Sequence, residues 1–193
     1  MGTVQTIAPT DDNEPVTLGE ARDHLRQQGH EEDGYIGELL KVAREKVSIE
    51  MRRQLGSATY RLDTGRFPTG GEIELEWPPL QSATLQYYDT DNALQTLATT
   101  EYDVDITTEP GRVLRASSKT WPATYDRPDA VQVTFVAGYA TAALVPAIAK
   151  HAIKLTLSHY FESREPVVIG TIAAELPHGL TRLIRNMIVP VVA

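Results

Sequence analysis

Cysteine is absent from the 193 residues. That excludes a disulfide framework, a zinc–thiolate cluster and a thiol nucleophile, and it is compatible with a reducing compartment. Positive charge is in short supply: 18 lysines and arginines face 26 acidic residues, a net charge of −8. Tight, sequence-independent binding to a nucleic-acid backbone depends on cations displacing counterions, so this balance argues against it. An acidic wall can still surround DNA without gripping it. Long hydrophobic runs are missing as well. The stretch "TAALVPAIA" at 141–149 falls far short of the ~20 residues that cross a bilayer. The opening "MGTVQTIAPTDDNEPVT" has no basic segment leading into an apolar core, so no secretory signal is expected and the chain reads as soluble where it is made. The order G-x-S-x-G is not found, nor is G-x-x-x-x-G-K-[ST].

What is present is ordinary globular material, 41% hydrophobic and 23% charged. Such a chain can form one large domain or two small ones and needs no staple to hold its core. Residues 1–16 are polar, contain Pro9 and Pro15, lack periodicity, and read as a flexible arm. Thr17 and Glu20 have the T-x-x-E spacing of a capping box, which opens a helix expected over about Leu18 to Gln28 and ended by Gly29. Asp33 is the expected N-cap of a second helix reaching about Leu55. Its stripe of Ile36, Leu39, Leu40, Ala43, Val47 and Met51 recurs at spacings of three and four, with Arg44 mostly off that stripe. Residues 57–140 then alternate as short β segments, among them "TYRLDT", "EIELEW", "ATLQYYD", "EYDVDI", "GRVLRA" and "AVQVTFVA". Pro146 opens a third helix to about Arg164, and a fourth is expected over His178 to Met187.

The expected fold class is therefore α+β: a helical bundle of two N-terminal and two C-terminal helices, with an inserted antiparallel sheet of five or six strands. The corresponding division is an arm at 1–16, helical parts at 17–56 and 141–187, a β insertion at 57–140, and a tail at 188–193.

The richest cluster of reactive residue types is "HYFESREPVVIG" at 159–170. Helical phase places Ile148, Ala152, Leu155 and His159 on one core-facing stripe, widened by Ala149, Ile153, Thr156 and Tyr160. His159 thus reads as a packing residue. A helical metal pair needs histidines at i and i+4, whereas His151 and His159 are eight apart and point about 80° from each other. An enzyme built on His151, His159 and Glu162 is the rival this leaves. "DTDNA" at 89–93 resembles a calcium loop but lacks its glycine and distant glutamate, so it reads as a hairpin turn. Gly70 and Gly71 precede a strand, where phosphate binding would need a helix. No cofactor and no metal site is expected.

Several phrases in one order carry a resemblance: "VTLGEARDHLR", "FPTGGEIELEWPPLQSATLQYYD", "EYDVD", "WPATYDRPDAVQVTFVAGY", "VPAIAKHAIKLTLSHYFESREPVVIG" and "LPHGLTRLI". They resemble the head-tail connector proteins of tailed bacteriophages and prophages, also called adaptor or head-completion proteins and often filed as possible DNA-packaging proteins. The likeness runs from about Val16 to Ile188. It implies a non-enzymatic structural component of the virion neck, made in the host cytoplasm. Such proteins form a ring, commonly of twelve copies, that docks beneath the portal protein after packaging and carries the next neck protein, a stopper or tail terminator. DNA passes through the channel without sequence-specific binding, no membrane is involved, and the isolated chain can be monomeric. Another neck component, a DNA-packaging accessory or a packaging-associated hydrolase are the alternatives.

Two regions are expected to carry partners. The apolar residues after the third helix need burial by something, so Tyr160, Phe161, Arg164, Val167, Val168 and Ile169 are the candidate subunit interface. The family's C-terminal segment reaches toward the portal, which makes Ile188, Val189, Pro190, Val191 and Val192 the candidate portal-binding tail.

Overall fold

In the computed structural model, residues 2–8, 14–162 and 178–189 are described. Helix α1 (Leu18–Leu25) opens on the expected capping box: the Glu20 N–H donates to Thr17 Oγ1 at 3.2 Å, and the Thr17 N–H donates to Glu20 Oε2 at 2.9 Å. It stops before Gly29 is reached, because Arg26 turns left-handed at φ 57° and its N–H closes the last turn on Arg22 and Asp23 carbonyls. Helix α2 (Asp33–Met51) ends in the same way at Arg52, φ 51°, short of the expected Leu55. Neither helix uses glycine for its left-handed cap; the carbonyls satisfied there offset a strain of roughly 1 kcal/mol. Asp33 is the first helical residue of α2, with Glu32 at the cap position. The Asp33 carboxylate lies 2.9 Å from His30 Nδ1 and 3.5 Å from an Arg22 nitrogen, which ties the α1–α2 connection together.

Helix α3 (Ala147–Glu162) begins one residue after Pro146, and α4 (His178–Ile184) runs into a 3-10 turn at Arg185–Met187. The α2 stripe of Ile36, Leu40, Ala43, Val47 and Met51 is buried, as its spacing predicts. Arg44 is buried too, against expectation. Its Nε donates to both carboxylate oxygens of Glu14, at 3.0 and 3.1 Å, so the charge enters the interior with its counter-ion. The α3 face is rotated from the expected one. Ala149, Ala152, Ile153, Thr156 and Leu157 are the buried residues, while Ile148 is 44% exposed and Leu155 and His159 are half-buried. Apolar residues lie nearly all round this helix, so phase alone did not determine which arc would turn inward. Thr156 is tolerated there because its hydroxyl donates to the Ala152 carbonyl at 2.9 Å.

The strands are β1 (Thr3–Ala8), β2 (Ala58–Thr64), β3 (Glu72–Leu75), β4 (Leu80–Tyr88), β5 (Leu94–Thr96), β6 (Tyr102–Asp105), β7 (Gly111–Arg115) and β8 (Val131–Ala137). All pairings are antiparallel, in two sheets of order β1-β2-β8-β4-β5 and β3-β7-β6. This corrects the expectation of one sheet of five or six strands. The run from β3 to β4 is broken at Trp77-Pro78-Pro79, where two residues lack an N–H for a ladder and Trp77 takes φ 67°. Strand β3 therefore pairs with β7, and β4 pairs with β8.

The flexible-arm expectation is also corrected. Thr3 to Ala8 form a strand on β2, in the register Thr3↔Asp63 to Thr6↔Tyr60, and Val16 is fully buried. "TVQTIA" is uncharged and rich in β-branched residues, but its partner lies more than fifty positions along the chain, so no local signal announced the pairing.

Chain contacts divide the molecule into two units: one takes β1 with the strands of residues 57–140, the other the helices of 14–56 and 141–189. The β unit is centred on β8, whose Val131, Val133, Phe135 and Ala137 face the core as alternation predicts. Tyr60 stacks on Phe135 and on Trp77, and Phe67 stacks on Trp121 with centroids 4.6 Å apart. Gly111 permits close approach: a Cβ there would sit 2.5 Å from Leu80 Cβ. Among the described residues, no helix is long and apolar enough to cross a membrane.

Candidate functional site

Among the described residues, His151, His159 and Glu162 are not gathered into one group. His151 is exposed and meets the edge of the His24 ring, with centroids 6.5 Å apart. His159 is half-buried with its ring against Tyr160, and Glu162 is exposed at the end of α3. Burial lowers the pKa of His24, and Lys154 and His151 act in the same direction, so this corner disfavours another positive charge. Among the described residues no three histidine, aspartate or glutamate side chains are grouped as a metal site would require.

In the β unit, Asp89 organises the expected turn between β4 and β5. Its carboxylate accepts from the Asp91 and Ala93 N–H groups at 3.0 Å and from Gln95 Nε2 at 2.7 Å, which lowers its pKa. Asp105 accepts from the hydroxyls and N–H groups of Thr107 and Thr108, and these bonds hold its carboxyl well below the usual range. Arg127 borders a shallow depression with Thr64, Arg66 and Asp126, but its guanidinium is paired with Asp129 at 2.7 Å and stacks over Tyr88 at 3.7 Å. Each of these groups is engaged in shaping its own loop.

The helical unit offers surfaces instead. At the end of α3, the Phe161 ring lies 6.1 Å from that of Tyr35 on α2. Tyr160 is half-buried, near enough to Lys46 to add slightly to the raised pKa that the hydrogen bond with Glu50, at 2.8 Å, chiefly produces. Phe161 of the expected interface thus lies beside α2 of its own chain. Arg164, Val167, Val168 and Ile169 lie outside the described residues.

At the other expected contact, Ile188 is half-buried and Val189 is 6% exposed, with its N–H donating to the Met51 carbonyl at 3.2 Å. That bond satisfies one of the carbonyls left free at the end of α2. The segment after α4 therefore starts against its own chain. Pro190, Val191 and Val192 lie outside the described residues.

A feature not anticipated from the sequence is a second apolar line on α2. Val42 is 48% exposed and Ile49 59%, seven residues apart, with Tyr35 a further seven residues before them. Their sevenfold spacing was visible in the sequence, but the stronger buried stripe beside it masked the signal. Ahead of α3, Leu144 in a 3-10 turn (Ala142–Leu144) is 61% exposed, and Ile148 follows on the helix.

No protein-family model and no curated protein matches the sequence. Solved assemblies do contain chains of similar structure. In the neck of an empty gene transfer agent particle, computed with C6 symmetry, a chain superposes with a TM-score of 0.79 at 20% identity, covering 99% of this chain and 97% of that one. In the virion of the native gene transfer agent particle the values are 0.76 and 20% over the same shares. In the neck of the native particle, computed with C12 symmetry, they are 0.74 and 19%, again over 99% and 97%. Over nearly its whole length, this chain has the fold of a protein found in the neck and virion of gene transfer agent particles.

Proposed function

We propose that the chain is a structural subunit of the neck of a tailed, phage-like particle: a ring-forming head-tail adaptor that docks on the portal after DNA packaging and carries the next neck protein. The observation that supports this reading most is the fold match covering 99% of this chain and 97% of its counterpart, in necks computed with C6 and C12 symmetry. The six ordered phrases of the sequence, which resemble head-tail connectors, point the same way independently.

The chemistry suits the role. A ring of identical subunits closes through heterologous contacts, which require two different sticky surfaces on each copy. An acid surplus of eight charges per copy, repeated round a channel, repels the DNA backbone and lets it slide without sequence-specific binding. The apolar stretch around Val167 to Ile169 and the tail around Val191 are the segments we assign to a neighbouring copy and to the portal. The reading assigns no catalytic step, cofactor or membrane to the chain. It places the protein in the virion neck, after synthesis in the host cytoplasm.

Electron microscopy of particles made without this gene tests the role. Heads without tails, filled or leaking, are expected, and normal infectious particles would refute it. Val168→Asp with Ile169→Asp is expected to block ring assembly on the portal while the isolated chain stays folded, because two charges oppose burial of an apolar segment. Unaffected assembly would remove that segment from the interface.

A further inference from the structure

Helix α2 is amphipathic twice over. Its buried stripe faces the helical unit, yet Val42 and Ile49 form another apolar line about 140° round the helix. Half-buried Leu39 and Lys46 fill the intervening positions, which gives 35, 39, 42, 46, 49, the alternating four-and-three spacing of a helix-packing seam. The charge of Lys46 is already matched by Glu50. Single exposed apolar residues are normal on any surface, but an ordered line on a 19-residue helix is a surface made to be covered.

Helix α3 carries a line of its own. Leu144 and Ile148 are exposed, and half-buried Leu155 follows seven residues after Ile148. On α3 itself Ile148 and Leu155 are seven residues apart, as are Val42 and Ile49 on α2, about 10 Å along each helix, so side chains of one line can seat between those of the other. They lie on different helices of one chain. A contact between identical faces would close a dimer and stop, whereas a rotational ring needs two unlike surfaces that recognise each other.

We infer that the Val42–Ile49 line of α2 on one copy packs against the Leu144–Ile148–Leu155 line of the next copy in the ring. This rests on the neck-ring reading above and adds to it the pair of surfaces that meet. It also explains why Ile148 is apolar although 44% of it is exposed on its own chain.

The lack of native cysteine makes the test clean. Single variants V42C, I49C, I148C and L155C, and the doubles joining one residue of each line, are introduced into the full chain in producing cells. Purified particles are treated with a mild oxidant or a short bis-maleimide and run without reductant. Doubles are expected to give a ladder of chain multiples and singles none. Dimers from V42C or I49C alone would mean that α2 meets α2, and would overturn the pairing.

Particles that hold the chain in rings while every double stays monomeric would also overturn it, yet leave the ring reading intact. Particles that lack the chain altogether would instead sink the ring reading. As a second measurement, V42D/I49D is expected to lower incorporation into particles at least tenfold with the melting of the isolated chain unchanged. Normal incorporation would refute the inference.

Discussion

Replacing Glu14 with alanine removes a bidentate partner of a buried guanidinium, and its cost can be bounded from the structure. The Arg44 side chain is 8% exposed and that of Glu14 19%, with Nε bonded to both carboxylate oxygens at 3.0 and 3.1 Å. An exposed pair is worth about 0–1 kcal/mol, whereas removing one partner of a fully buried pair costs about 3–5 kcal/mol. Glu45 offers a substitute at 3.6 Å, but it is 66% exposed and screened by solvent. The expected loss is therefore about 2 kcal/mol, between these limits. For a chain of this size that corresponds to a fall in Tm of roughly 4–8 °C.

Urea unfolding followed by far-ultraviolet circular dichroism measures it. A cycle with Arg44→Met separates the pair from its parts, since the double variant should recover part of the loss once the guanidinium itself is no longer buried. Glu45→Ala is the control, expected within about 0.5 kcal/mol. If Glu14→Ala also falls within about 0.5 kcal/mol, the Glu14–Arg44 pair is not what holds the segment before α1 to α2.

Two further substitutions examine the β unit. Gly111→Ala forces a methyl group to within 2.5 Å of Leu80 Cβ and should cost about 1–3 kcal/mol by calorimetry, while Gly70→Ala, with open space around it, should be neutral. Equal melting of the two variants would contradict the close approach at Gly111. Asp105→Asn tests the linkage between charge and stability. The folded state holds this carboxyl below its ordinary range, so the unfolded chain takes up the proton first as pH falls through about 4. The stabilisation is full above that pH and is lost on acidification, so the variant should be less stable at neutral pH with the gap closing toward about pH 2. A gap that does not change with pH would show that the carboxylate charge is not what the threonines recognise.

Much of the local structure was legible beforehand because its causes lie within a few residues of each other. Thr17 and Glu20 cap a helix from a spacing of three, the α2 stripe repeats with the helical turn, β8 alternates with the pleat, and Asp89 bonds the backbone two and four residues on. The position of the aromatic pair along the chain was legible, but its surroundings were not. Tyr160 and Phe161 lie at the end of α3 as expected, but that the Phe161 ring would meet Tyr35 depended on a helix more than a hundred residues earlier. The exposed line through Val42 and Ile49 was written in the spacing, yet exposure is not a property of spacing.

What the sequence determined by itself is the set of elements and their caps, since propensity, periodicity and turn chemistry act over one or two turns of chain. The tertiary structure alone decided that β1 closes an edge of the β2 sheet, that Pro78 and Pro79 split the strands into two sheets, that Arg44 goes inward with Glu14, and which arc of α3 is buried. Those outcomes depend on partners brought together across long stretches of chain. The free energy that selects among them comes from area buried and charges matched between elements, and no window of the sequence contains both sides of such a contact.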